Sequence, residues 1–127
     1  MTNSIDKKFK DIEQLEIYQE SRKITLMIYK ITNMNLFKKD YELKIQIRRA
    51  SLSIMSNIAE GFERGSDKDF RKFLFISRGS TGEVLAQITI AYDLHYIDET
   101  TYSGIKNKCK YINRMLTNFI KYLSKDI

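Results

Sequence analysis

At 127 residues the chain has the length of one domain. Hydrophobic residues make up 43% and charged residues 30%, which excludes a disordered or fibrous chain and leaves enough apolar side chain for a core. The net charge of +6 favours an anionic partner, and no apolar run approaches the roughly 20 residues needed to cross a bilayer, so a membrane-spanning protein is not expected.

The opening MTNSIDKKFKD has no apolar stretch of the secretory kind, so a cytoplasmic protein is predicted, with residues 1–8 as a loose arm before a single domain over 9–127. Asp11 is placed to cap a first helix over about 12–34. Within it Ile17, Ser21, Ile24, Ile28 and Ile31 recur at intervals of four and three, and Leu15, Tyr18 and Met27 widen the face. The polar stretch from Asn35 to Asp40 is a loop. A second helix over about 41–61 places Leu43, Ile47, Ala50, Ile54 and Ile58 on one face. It also carries a second apolar stripe, Ile45, Leu52, Ala59 and Phe62, although one stripe is enough to seat a helix on a core. The extra stripe implies burial on two sides, by other helices of the chain or by another subunit.

A break follows at Gly61-Phe62-Glu63-Arg64-Gly65-Ser66, where Ser66 or Asp67 can cap a third helix over about 67–94. Its apolar positions are Phe70, Phe73/Leu74, Val84/Leu85, Ile88 and Ala91/Tyr92. Between them the face turns small, through Ser77, Gly79, Ser80, Thr81 and Gly82. Glycine inside a helix costs about 1 kcal/mol relative to alanine, so this pair needs a reason. The first reading is close packing against Ala50, Ser51, Ser53 and Ser56; a helix break or a ligand against the backbone are the alternatives. Asp98 caps a fourth helix over about 99–124. There Ile105, Cys109, Ile112, Leu116, Phe119 and Leu123 alternate by four and three, as in a heptad seam. Cys109, the only cysteine, excludes an intrachain disulfide and reads as a core residue. Long helices joined by short loops predict an all-α, antiparallel up-down-up-down four-helix bundle.

The middle of the chain resembles the 23S rRNA-intervening sequence protein family, also called the four helix bundle protein family. The residues that carry the resemblance are Gln46-Ile47-Arg48-Arg49-Ala50, Asn57-Ile58-Ala59-Glu60-Gly61, Phe73-Leu74, Gly79-Ser80, Glu83, Gln87 and Tyr96-Ile97. The opening Phe9-Lys10-Asp11-Ile12 resembles the family's start. Met55 stands where the family usually has proline, Tyr18 where it has tryptophan, and His95 where a glycine is common. The resemblance implies a ring of five protomers with a central channel. It also implies a link to RNA, since relatives are encoded inside insertions of large-subunit ribosomal RNA genes. Another relative is the accessory protein of diversity-generating retroelements, which works with a reverse transcriptase and binds nucleic acid.

No catalytic, cofactor or metal site is expected. A di-iron bundle needs imidazoles beside its carboxylates, and the chain has one histidine, His95, at a predicted loop. Helical ribonucleases that carry an arginine a few residues before a histidine have no counterpart, since the nearest upstream arginine is Arg78. A hydrolase would have to depend on His95 alone. Asn57 and Glu60 share one helix face, and Glu83 and Gln87 share another. If their helices pack antiparallel, these residues are expected to form a polar network that fixes register or a subunit contact, with Arg48 or Arg49 as a further candidate member.

The basic residues are more informative. Lys106, Lys110, Arg114, Lys121 and Lys125 fall within about 100° of one another on a helix. No acid lies between Glu99 and Asp126. The plain reading is a solvated lysine face; the functional one is a stripe that tracks phosphates. Arg48, Arg49, Arg71 and Arg78 form a second basic set, together with Arg64 and Lys72, and Tyr111 and Tyr122 are candidates for stacking on bases. The expected function is a non-enzymatic, homo-oligomeric protein, pentameric by resemblance, that binds RNA or DNA, with RNA favoured, or acts as a scaffold. The alternative is an interaction module that docks a protein such as a reverse transcriptase without touching nucleic acid.

Overall fold

The computed structural model describes residues 9–125, so the expected arm at 1–8 lies outside the described residues. Its helices are α1 (Glu16–Ile31), α2 (Tyr41–Glu63), α3 (Asp67–Asp93) and α4 (Glu99–Leu123). Each packs on its neighbours in order, and α1 closes the bundle against α4. Cross-helix bonds run in reversed order on every neighbouring pair. Thr25 donates to Ser51 O, while Arg48, three residues earlier on α2, donates to Thr32, seven residues later at the C-cap of α1. Ser77 Oγ donates to Ile54 O, and Ser80 bonds Ser53. Arg71 reaches Ser124 and Arg78 reaches Thr117. Neighbouring helices are therefore antiparallel.

The core is aliphatic. Ile24, Ile28, Ile47, Ile54, Ile58, Ile88, Ile105 and Ile112 are fully buried, and each contributes about 1.5–3 kcal/mol over an exposed side chain. On α4 the seam runs as expected except at one step. Ile120 is buried, while Phe119 is half-buried with its ring 5.5 Å from that of Phe70. Cys109 is buried among these residues, and burial pushes its thiol up to about 12.

The first helix is shorter than its apolar period suggests. Ile12–Gln14 form a separate 3₁₀ turn, held by Gln14 Oε1 accepting from the amides of Lys10 and Asp11. Leu15 then lies extended with its side chain in the core. At the other end α1 stops at Ile31, where Asn33 N–H and Met34 N–H turn back to Lys30 O and Ile31 O and Arg48 caps the end. The guanidinium donates to Thr32 Oγ1 at 2.8 Å and to Tyr29 O at 3.2 Å.

The break between α2 and α3 is tighter than expected. Gly61 and Phe62 are still helical, and the turn is confined to Arg64–Ser66, with Gly65 at φ 84°. Ser66 is the cap, accepting from the Asp69 amide at 3.2 Å.

The turn after α3 keeps a glycine's conformation with a histidine in it. Tyr96 N–H donates to Ala91 O and His95 N–H to Tyr92 O, both at 2.9 Å, with His95 at φ 63°. This is a Schellman closure, which favours glycine at the left-handed position. Tyr96 O–H also donates to Asp40 Oδ2 at 2.8 Å, tying this turn to the α2 cap. Relieving the Cβ clash by His95→Gly should stabilise the fold by about 1 kcal/mol, read as a rise of about 4 °C in Tm.

One buried acid contributes to the pH response. Glu20 accepts from Lys108 Nζ at 2.7 Å and from Lys23 Nζ at 3.1 Å. The Lys108 hydrogen bond holds its carboxyl below the ordinary 4.5, against the opposing effect of desolvation. A depressed folded pKa contributes stability above 4.5 that is lost as the pH falls through the lower folded value. Lys108→Met should remove or invert this component of the acid limb, measured as urea midpoint against pH.

Candidate nucleic-acid interface

α4 turns its apolar seam inward, which leaves Lys110, Arg114, Lys121 and Lys125 exposed on its outer side. Lys106 is half-buried, its ammonium 5.7 Å from the Tyr102 ring. At 1.5 Å per residue the stripe spans about 28 Å, with a cation about every 6 Å except where two turns separate Arg114 from Lys121. The packing of α3 fills that gap. Arg78 Nη1 donates to Thr117 Oγ1 at 3.3 Å, between Arg114 and Lys121 in the α4 sequence. Arg71 Nη1 lies 3.5 Å from Ser124 Oγ, beside Lys125. Arg71 and Arg78 thus join the α4 line although they lie far away in sequence. Among the described residues the only acid on α4 is Glu99, in its first turn.

Other expected members are placed elsewhere. Arg48 is committed to the end of α1, stacked 4.3 Å from the Tyr29 ring, and is no part of this face. Arg49 is exposed on α2, in a cleft with Glu83 and Gln87. Arg64 pairs with Glu60 at 3.0 Å in solvent. Tyr111 faces α1, where its hydroxyl donates to Glu16 at 2.5 Å, and that bond raises its pKa. Tyr122 stands edge-on to Phe119. Tyr122 also adjoins the end of the basic line, with the Lys125 ammonium 5.8 Å from its ring.

Within the chain the expected network of Asn57, Glu60, Glu83 and Gln87 is not formed. The register of α2 on α3, fixed by the Ser53–Ser80 and Ser77–Ile54 bonds, sets Glu83 beside Arg49 and Gln87 beside Gln46. That is about two turns from Asn57 and Glu60. Asn57 instead donates to Ser53 O and Oγ, which makes an Asn57–Ser53–Ser80 chain of hydroxyl and amide across the helices.

The glycines of α3 also differ from the first reading. Ser77, Ser80 and Thr81 face inward, and Ser77 and Ser80 make the close contacts with α2. Gly79 and Gly82 face outward, the helix runs unbroken through them, and a Cβ on either would meet nothing within 4 Å. They lie in an exposed apolar face with Phe75, Ile76, Ala86, Ile90 and Leu94, of which Ile76 is 44% and Ile90 49% exposed. The extra stripe of α2 is exposed too, Ile45 at 48% and Leu52 at 42%. Only the Phe62 end of that stripe is buried by the chain's own core. The composition of 76–90 carried this signal, since inward packing cannot use every apolar residue there.

The bundle and its motifs coincide with a known family. The family model for 23S rRNA-intervening sequence proteins matches residues 13–118. The chain belongs to the 23S rRNA-intervening sequence protein family. A crystal structure of a protein of unknown function from the S23 ribosomal protein family of Bacteroides thetaiotaomicron VPI-5482 is similar to it. The TM-score is 0.76 at 27% identity, over 83% of this chain and 98% of that one. No curated protein matches the sequence. In this member of the family no described helix is long and apolar enough to cross a membrane.

Proposed function

We propose that this family member is a non-enzymatic homo-oligomer that binds nucleic acid, RNA in preference to DNA, along the α3–α4 basic line. The observation that carries the reading is the placement of Arg78 at Thr117, which closes the gap in the α4 stripe. Evenly spaced cations without intervening acids suit a phosphate backbone, and binding through them is sequence-independent and weakens with salt. The family's description refers to 23S rRNA, which makes RNA the first ligand to test.

The exposed apolar face of α3 supplies the subunit contact in this reading, with the outer stripe of α2 as a second candidate. Exposed apolar side chains gathered on one face mark an interaction surface more often than chance scatter. A closed ring of five would weigh about 75 kDa against 15.0 kDa for the chain. Light scattering in high salt after nuclease treatment tests this part, and a mass near 15 kDa would end it. The same face favours a second reading, a module that docks a partner such as a reverse transcriptase. That reading gains if RNA binding is absent at low salt.

A further inference from the structure

One exposed aromatic ring stands inside the basic line. Phe75 follows Arg71 by four residues and precedes Arg78 by three, so the three share one face of α3. Helical rise sets the two arginines about 10 Å apart along the axis, with the ring between them. The ring is 45% exposed. The Arg78 guanidinium lies 4.9 Å from its centroid while donating to Thr117 of α4. The cation that closes the gap in the α4 stripe therefore also backs the ring, at a distance where the two attract. Gly79, one turn further on, has no side chain to cover it. Tyr122, at the end of the line, packs edge-on to Phe119, whereas no aromatic ring is paired with Phe75 among the described residues.

Cations on both sides of a flat apolar ring suit one part of a nucleic acid in particular. The arginines attract phosphates, and the ring offers a surface to the base attached between them. Unpaired bases stack on aromatic rings and on guanidinium planes, whereas the bases of a duplex are already stacked on one another. Granted nucleic-acid binding along the α3–α4 line, on which this rests, we infer that Phe75 backed by Arg78 is a stacking platform for an unpaired base. The ligand class is then a single strand or loop, and the ring adds affinity that phosphate contacts alone do not give. Phe75 also borders the exposed apolar face of α3, so a second copy of the chain is the competing occupant of the ring.

The test is fluorescence anisotropy at fixed salt with a single-stranded RNA, an abasic strand of the same length and a blunt RNA duplex, with light scattering in parallel. The single strand should bind about tenfold tighter than the abasic strand. Phe75→Leu, which keeps an apolar side chain and removes the π face, should erase that difference. It should leave the abasic and duplex affinities, the salt slope and the mass unchanged, and Phe75→Tyr should behave as wild type. A 2-aminopurine placed in the single strand should be quenched on binding to the wild type and not to Phe75→Leu. The inference is overturned if Phe75→Leu keeps the preference for the single strand, if it weakens all three ligands equally, or if its loss of affinity comes with a fall in mass. If the abasic strand binds and Phe75→Leu matches wild type, the platform alone fails. If none of the three binds at low salt, the basic line fails and the platform with it.

Discussion

Changing Lys106, Lys110, Arg114 and Lys121 together to glutamine should lower affinity for single-stranded RNA about 600-fold at 0.1 M salt. Each phosphate neutralised on a single strand contributes a slope of about −0.7 in log K against log salt. With Lys106, Lys110, Arg114, Lys121, Lys125, Arg71 and Arg78 each on one phosphate, the full line should give a slope of about −5, and the variant about −2. Fluorescence anisotropy over a salt series measures both. The bundle should survive the change, since Lys110, Arg114 and Lys121 are exposed and Lys106 lies half-buried against Tyr102. Surface substitutions of this kind shift stability by about 0.5 kcal/mol or less. A flat salt response in the wild type would remove the nucleic-acid reading. Arg78→Gln alone separates the cross-helix line from a lysine face on one helix. It should lower affinity about fivefold if the line is continuous, and leave it unchanged if α4 acts by itself.

The glycines should divide into opposite classes under substitution. Gly61→Val should destabilise the fold by about 3 kcal/mol, because a Cβ there would lie 2.8 Å from Phe70 Cδ1 and 2.9 Å from Phe73 Cβ. Phe70 is fully buried, with its ring edge-on to Phe62 at 6.1 Å, so it has little room to yield. By contrast, Gly79→Ala with Gly82→Ala should stabilise the isolated bundle by about 1 kcal/mol per site, since the new methyl groups meet nothing within 4 Å and helix propensity rises. Thermal melts at low protein concentration read that gain. The mass in solution reads the other consequence. If a second copy packs closely over the bare strip beside Ile76 and Ile90, the double alanine variant should dissociate at concentrations where the wild type stays assembled. A variant that is both more stable and equally assembled would show that the contact between copies lies elsewhere.

Periodicity by itself determined most of the fold. The seams of α2 and α4, the caps at Ser66 and Asp98, and the short loops required four helices packed in sequence. These are local consequences of side-chain spacing and of hydrogen bonds within a turn, so they can be read from neighbouring residues. Even the extra stripe of α2 was visible, as more apolar surface than one core can use. What only the tertiary structure decided was register and which side of each helix packs. Whether Gln87 meets Gln46 or Asn57 depends on how far α3 slides along α2, and the hydroxyl contacts of Ser53, Ser77 and Ser80 set that. The same contacts turned Gly79 and Gly82 outward, because small residues lie on both sides of α3 and spacing alone does not say which side packs. Arg48 and Arg78 look equivalent in sequence. One is bound to the end of α1 and the other completes the α4 line, a difference made by residues far away along the chain and close in space.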